Sequence, residues 1–276
     1  MYYNKRTILM SEIISKETIS RLVNDVKNII KNPLSEHGIY YQHDEADMLK
    51  GYALIVGPED TPYFGGFYFF EFLFPHNYPF TPPKVEFCTN NGQVRFNPNL
   101  YTSGKVCISI LNTWKGEQWT SCQTISTILL SLSSLLCKDP LLNEPGFSKL
   151  HQDFGKYTSI IEYANIDTAV CAIVKKHPRI YMPKFSMFDD IVMEHFTKNY
   201  DAHVAFATNK LNMTITANEK SSGGSSSGVG AKISDNKSIG IQPTSSTMIC
   251  TSIYSMRINV DYKNALKNLV ECKKLI

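Results

Sequence analysis

In the stretch Phe96 to Leu111, Cys107 follows a turn-forming Asn97-Pro98-Asn99 and a loop containing Gly104, with β-branched and aliphatic residues on both sides of it. Asn-Pro marks a turn, because proline fixes its own φ and pushes the residue before it out of the helical region. Such a loop brings the Asn99 amide near Cys107 with no helix between them. A thiol beside an oriented amide donor suits acyl transfer: the thiolate attacks a carbonyl and the donor stabilises the oxyanion. By itself a cysteine in an apolar run is more often a small buried hydrophobe, so its neighbours decide the reading.

Upstream lies Tyr78-Pro79-Phe80-Thr81-Pro82-Pro83-Lys84. Downstream lie Trp119-Thr120-Ser121-Cys122, an apolar helical run from Thr124 to Cys137, and Asn143-Glu144-Pro145-Gly146-Phe147. In this arrangement the chain resembles the ubiquitin-conjugating enzymes, the thioester carriers between an activating enzyme and a ligase. The resemblance covers about Arg21 to Phe147. Its Asn-Pro-Asn turn, tryptophan-containing insert after the cysteine and Asn-Glu-Pro-Gly-Phe are most similar to the Z type, which carries a long C-terminal extension.

The resemblance implies that Cys107 takes ubiquitin or a ubiquitin-like modifier as a thioester and passes it to substrate lysines, with or without a ligase. Asn99 would stabilise the oxyanion or brace the loop. Asn97 stands where most members carry a histidine, and its amide can also hydrogen-bond to backbone. Glu144 sits where many members have an acidic residue that positions or deprotonates the incoming lysine. Partner surfaces follow in the same way. Arg21, Lys27 and Lys31 would face the activating enzyme, the plain alternative being a solvated helix face. Phe80, between two proline-rich turns, would meet a ligase of RING or HECT type together with Trp119, Thr120 and Ser121, although many members have Ser-Pro-Ala after that tryptophan. No bound cofactor is expected. ATP is used by the activating enzyme, and no glycine-rich phosphate loop occurs in this chain.

Two other readings stay open at this level. One is a catalytically weak adaptor of the same fold that binds ubiquitin or a ligase, although such relatives usually lack the cysteine. The other is an unrelated cysteine hydrolase, which needs a histidine base with an orienting partner. His76 and His151, the nearest in sequence, lie in no such motif.

The elements that position these residues are legible as patterns. Ile19, Leu22, Val23, Val26, Ile29 and Ile30 recur at helical spacing between Lys16 and Lys31, with Ser15 as N-cap and Pro33 beyond the end. Short strand signals follow at Ile39 to Gln42, Met48 to Val56, Phe67 to Phe74 and Lys84 to Cys88, joined by turns. They imply an antiparallel meander with one face covered by helices. Ile125, Ile128, Leu129, Leu132, Leu135 and Leu136 mark a central core helix. The insert Asn112 to Gln118 reads as a plain loop whose Trp114 packs locally, with a lid over the cysteine as the alternative. The fold class is therefore α+β. The expected organisation is an N-terminal segment 1–15, a core at 16–150 with a four-stranded antiparallel meander and two helices, which the resemblance makes a ubiquitin-conjugating core, and a mostly helical C-terminal extension at 151–276. Within the extension, helices are expected at Tyr157 to Lys176, Phe185 to Tyr200 (with His195 as a packed residue) and Asp261 to Lys274. Residues 218–247, rich in Ser and Gly, are expected to be flexible, and the apolar Met248 to Ile258 folds the tail back onto the body.

Composition limits the partners. A net charge of +3 with no basic run interleaved with aromatics argues against nucleic acid. The seven cysteines form no CxxC pair and the histidines show no ligand spacing, so no metal site is expected. Cysteines in apolar runs suit reduced thiols in a cytoplasmic or nuclear protein. Met1 to Met10 lacks the apolar core of a signal peptide, and no run reaches the length of a membrane span.

Overall fold

The computed structural model describes residues 14–222 and 246–276. Helix α1 spans Lys16–Lys31, and the Ser15 side chain accepts the Thr18 N–H at 3.0 Å. Its buried face is narrower and more polar than the apolar spacing implies. Thr18, Leu22, Asp25 and Ile29 are buried, whereas Ile19, Val23 and Ile30 are exposed. The cause is the loop 76–80. The Thr18 hydroxyl donates to the carbonyl oxygens of His76 and Tyr78 at 2.8 and 2.7 Å, and the Tyr78 hydroxyl donates to Asp25 at 2.5 Å. Hydrogen bonds that must be satisfied set the rotation of this helix, and its remaining apolar side chains take what is left.

Strands β1 (Ile39–His43), β2 (Lys50–Val56), β3 (Phe67–Leu73) and β4 (Lys84–Phe87) form the expected meander, antiparallel and in sequence order. Nearly every residue of β2 and β3 is buried, so both faces of the sheet are covered, not one. Helix α2 (Ile125–Leu135) buries Ile125, Ile128, Leu129 and Leu132, and Thr124 caps it in a capping box with Thr127. The second sheet face is closed by the C-terminal region. Phe185 stacks on Phe69 with centroids 4.6 Å apart and meets Tyr52 edge-on, and Lys184 pairs with Glu71 at 2.6 Å.

Helix α3 (Phe154–Ala164) runs directly into a π-helical stretch, Asn165–Ala172, in place of the single regular helix the spacing implies. Asn165 is the pivot. Its amide accepts from the Tyr68 hydroxyl at 2.6 Å and donates to the Phe64 carbonyl at 2.9 Å. A Cβ on Gly66 would lie 1.9 Å from that amide oxygen, so only glycine allows the approach. After a 3-10 turn at Pro183–Phe188, helix α4 runs from Asp189 to Ser222, well beyond the expected end at Tyr200. Its buried stripe continues past Phe196 through His203 and Ala207, where the apolar spacing is interrupted by a histidine. His195 is half-buried, with the Tyr40 hydroxyl 2.7 Å from its Nε2.

Of the segment 218–247 expected to be flexible, the first residues belong to α4 and the last to β5. Residues 223–245 lie outside those described. Strands β5 (Ser246–Cys250) and β6 (Arg257–Asp261) pair antiparallel, and α5 (Tyr262–Lys273) follows with Asp261 accepting the Asn264 N–H. The tail packs back on α3 and α4 as expected, with Tyr262, Ala265 and Leu269 buried and Val270 half-exposed.

His203 packs against Phe64, and its Nε2 has no hydrogen-bond partner. Burial holds its pKa down to about 4 from the ordinary 6.5. As pH falls from 6.5 to about 4, the unfolded chain binds a proton there and the folded chain does not. Stability should be full above the ordinary value and drop by about 3 kcal/mol across that window. Urea unfolding at a series of pH values checks this, and His203→Leu should flatten the difference.

Candidate active site

The turn that carries Cys107 is built on Asn97, whose side chain is wholly buried. Its Nδ2 donates to the Leu135 carbonyl at the end of α2 (2.8 Å) and toward the Tyr63 hydroxyl (3.3 Å). Its Oδ1 accepts the Asn99 N–H at 2.9 Å and reaches Asn143 Nδ2 at 3.5 Å. The chain then folds back on itself. Leu100 N–H bonds to Asn97 O, Tyr101 N–H to Lys105 O, and Gly104 N–H to Tyr101 O, each at 2.9 Å. Gly104 has φ 87°, and its carbonyl accepts Phe87 N–H at 2.7 Å, which seats the loop on the edge of β4.

Asn99 holds Cys107 from both sides of the peptide. Its carbonyl accepts the Cys107 N–H at 2.9 Å, and its Nδ2 donates to the Cys107 carbonyl at 2.6 Å. Of the two roles the resemblance leaves open, the arrangement on view is the brace.

The Cys107 residue is only 3% exposed, and its thiol donates to the Thr113 carbonyl at 3.0 Å. Thr113 also closes on Ile108 through its own hydroxyl and N–H. The insert thus covers the sulfur, but not through its tryptophan. Trp114 is 42% exposed and does not pack into the core, because the αL residue Asn112 turns the chain outward there. Between this insert and Glu144-Pro145 lies a cleft of about 780 Å³, lined by Asn112, Thr113, Trp114, Lys115, Gln118 and Glu144. Glu144 is half-buried, and its carboxylate accepts from the Tyr254 hydroxyl. Sequence reading missed Thr113 and Tyr254. Thr113 carries no distinctive pattern, and Tyr254 is remote in the chain. Among the described residues no group of His, Cys, Asp and Glu is placed to hold a metal, and no helix is long and apolar enough to cross a membrane.

A family model described as ubiquitin-conjugating enzyme matches residues 21–163, from α1 into α3. The chain belongs to the ubiquitin-conjugating enzyme family. Ubiquitin-conjugating enzyme E2 Z of Xenopus tropicalis is 42% identical over 168 residues, covering 60% of this chain and 53% of that one. The human E2 Z is 42% identical over 167 residues, covering 59% and 47%. A probable ubiquitin-conjugating enzyme of Caenorhabditis elegans is 40% identical over 176 residues, covering 58% and 24%. The chain spans about half the length of the E2 Z relatives it matches. These similarities support the Z type within the ubiquitin-conjugating enzymes, the likeness the motifs first suggested.

For a ubiquitin-conjugating enzyme, the expected partner-facing residues divide into two groups. Arg21, Phe80 and Ser121 come together around one shallow groove, with Lys16, Glu17 and Pro79. Phe80 is 71% exposed because its neighbours are bolted inward: Tyr78 to Asp25, and Pro79 through its carbonyl to the Trp119 indole N–H at 2.6 Å. Trp119 itself is buried against Tyr78, a core support and not an exposed contact, while Thr120 and Ser121 are exposed. Arg21 is not a free cation. Its guanidinium binds Asp25 at 2.9 Å and the carbonyls of Ser121 and Gln123 at 2.5 Å each, clamping α1 to the segment before α2. Lys27 and Lys31 are exposed on the same helix.

Phe80→Ala should leave the melting temperature within about a degree, since a surface change of this kind shifts stability by less than about 0.5 kcal/mol. Trp119→Ala should cost about 3 kcal/mol in denaturant unfolding, as for other buried aromatics. Equal losses for both would mean the loop is core throughout.

Proposed function

We propose that this chain accepts ubiquitin, or a ubiquitin-like modifier, as a thioester on Cys107 and transfers it to substrate lysines. The observation that carries the reading is the double clamp of Asn99 on the Cys107 peptide, with the thiol bonded to a residue that lines an open cleft. In the first step the Cys107 thiol loses its proton to solvent and the thiolate adds to the thioester carbonyl on the activating enzyme. The tetrahedral intermediate collapses, the activating enzyme's cysteine leaves as a thiolate, and the modifier is now on Cys107. A thiolate has no proton for the Thr113 carbonyl, so ionisation breaks the bond that covers the sulfur and turns it to repulsion.

In the second step a lysine amine attacks the new thioester, an isopeptide bond forms and Cys107 leaves as a thiolate. A free lysine is mostly ammonium near neutral pH, with a pKa of about 10.4. Glu144, across the cleft, would attract that ammonium and take up the proton that the nitrogen sheds as it attacks. Asn99 serves as a brace in the resting loop and as a donor to the oxyanion once its amide releases the Cys107 carbonyl. The activating enzyme, a ligase of RING or HECT type at the Phe80 groove and lysine-bearing substrates are the partners this reading names. The activating enzyme is the step that uses ATP. Lys27 and Lys31 remain its candidate contacts, whereas Arg21 acts through the clamp it forms.

Incubated with ubiquitin, ATP and matched activating enzymes, the protein should gain one ubiquitin, removable by thiol reductant. Cys107→Ser should give a reductant-resistant oxyester, and charging that survives Cys107→Ala rules the assignment out. Discharge of the preformed thioester to free lysine should slow roughly a hundredfold in Asn99→Ala, the scale for one oxyanion donor.

A further inference from the structure

The loop between β5 and β6 ends beside the cleft, far in sequence from any other part of it. It is held there by Asp153, which is 1% exposed. One carboxylate oxygen of Asp153 accepts from Ser252 N at 2.8 Å, Ser252 Oγ at 2.5 Å and Ile253 N at 3.0 Å. Past these anchors, Tyr254 and Ser255 take φ values of 57° and 50°, a left-handed backbone that non-glycine residues seldom adopt. Such a conformation persists where its surroundings over-determine it, and it collects at functional sites.

The strained turn directs the Tyr254 side chain at two parts of the active site. Its hydroxyl donates to Glu144 Oε2. Its ring lies against the Arg95 guanidinium, 4.1 Å from the centroid, and the ring of Tyr101 in the cysteine loop lies against the same guanidinium at 3.7 Å. Arg95 in turn donates to the Pro98 carbonyl in the Asn97-Pro98-Asn99 turn at 2.5 Å. The Arg95 backbone is fixed as well: its carbonyl accepts from the Tyr157 hydroxyl at 2.7 Å, and Tyr157 lies edge-on to Tyr254. Arg95 Nε is buried without a partner, so the guanidinium is held by the two rings and by its bond to Pro98.

We propose that Tyr254, supplied by the C-terminal region, is a positioning residue for transfer to lysine, acting through Glu144. The hydroxyl occupies Oε2 and fixes the carboxylate, leaving Oε1 for the incoming amine. Burial and the adjacent carboxylate push the Tyr254 phenol well above its ordinary range, so it stays a donor throughout the working pH. Arg95, in contact with both Tyr254 and Tyr101, couples that carboxylate to the loop carrying Cys107, so the thioester and the carboxylate keep their spacing. This inference rests on the thioester reading above and adds to it a role for the C-terminal hairpin.

The test uses single-turnover discharge of the preformed Cys107–ubiquitin thioester to free lysine, across a pH series, in the full chain. Tyr254→Phe keeps the ring on Arg95 and Tyr157 and removes only the hydroxyl. Discharge should slow about tenfold near neutral pH, the scale of one hydrogen bond to a charged group. The defect should fade toward high pH in parallel with that of Glu144→Ala, as the amine deprotonates unaided. Glu144→Ala combined with Tyr254→Phe should be no slower than Glu144→Ala alone, because a residue acting through another adds nothing once that other is gone. Tyr254→Asn suits the left-handed backbone better but cannot reach Glu144, and it should be at least as slow as Tyr254→Phe. Wild-type discharge in Tyr254→Phe overturns the proposal, and so does a multiplicative loss in the double variant. A pH-independent defect, or a fall in melting temperature that accounts for the slowing, makes Tyr254 a support for the fold and overturns it too. Failure of the wild-type protein to form any thioester would instead overturn the function proposed above.

Discussion

The buried amide of Asn97 is the constraint on which the rest of the site depends. It has no exposed surface, so its donors and acceptor must be matched inside the protein, and an unmatched group would cost about 1–3 kcal/mol. The matching partners come from four places: the end of α2, the loop before β3, the 3-10 turn after α2, and the next turn of its own loop. One side chain therefore fixes the cysteine loop relative to the core helix and to the segment bearing Glu144. Asn99 then carries the same precision one step further, to both backbone groups of Cys107. At the position where the resemblance expects a histidine, the amide bridges backbone and side-chain groups at once.

Where a signal is local, the sequence shows it. Ser15 caps α1 as its position implies, Thr124 proves to cap α2 from just outside it, and the four strands fall within a few residues of the hydrophobic runs. The unbroken apolar runs of β2 and β3 carried further information, since a sheet with one wet face alternates and this one does not. What stayed hidden depends on contacts between remote residues. Nothing near Thr18 or Asp25 says that a loop some sixty positions later will claim them, although that loop decides which way α1 faces. In α4 the histidine at 203 interrupts the apolar spacing while keeping the buried stripe, so the spacing understates the helix. At the site itself, Cys107, Asn99 and Glu144 could be named from motifs, while the carbonyl over the thiol and the tyrosine on Glu144 could not.

The exposed groove around Phe80 follows the same economy. Tyr78 and Trp119 pack against each other and commit their polar atoms to Asp25 and to the Pro79 carbonyl. With both neighbours turned inward, the short span between the prolines has no room for a third aromatic inside, and Phe80 is left facing water. Arg21 belongs with the inward group: its charge is committed to holding α1 against the segment before α2. A rigid frame of buried polar pairs thus produces an exposed apolar side chain at a defined place.

The seating of Gly104 on β4 reaches beyond catalysis. β4 is an outer strand of the meander, and such a strand presents unpaired N–H and C=O groups to any other extended chain it meets. Here the cysteine loop occupies part of that row, through the Phe87 N–H to Gly104 carbonyl bond and the bridge between Glu86 and Lys105. The segment that carries Cys107 also shields a margin along which copies of the protein would otherwise pair. Damage that frees this loop strips that margin at the same moment, so loss of chemistry and a tendency to aggregate arise from one event.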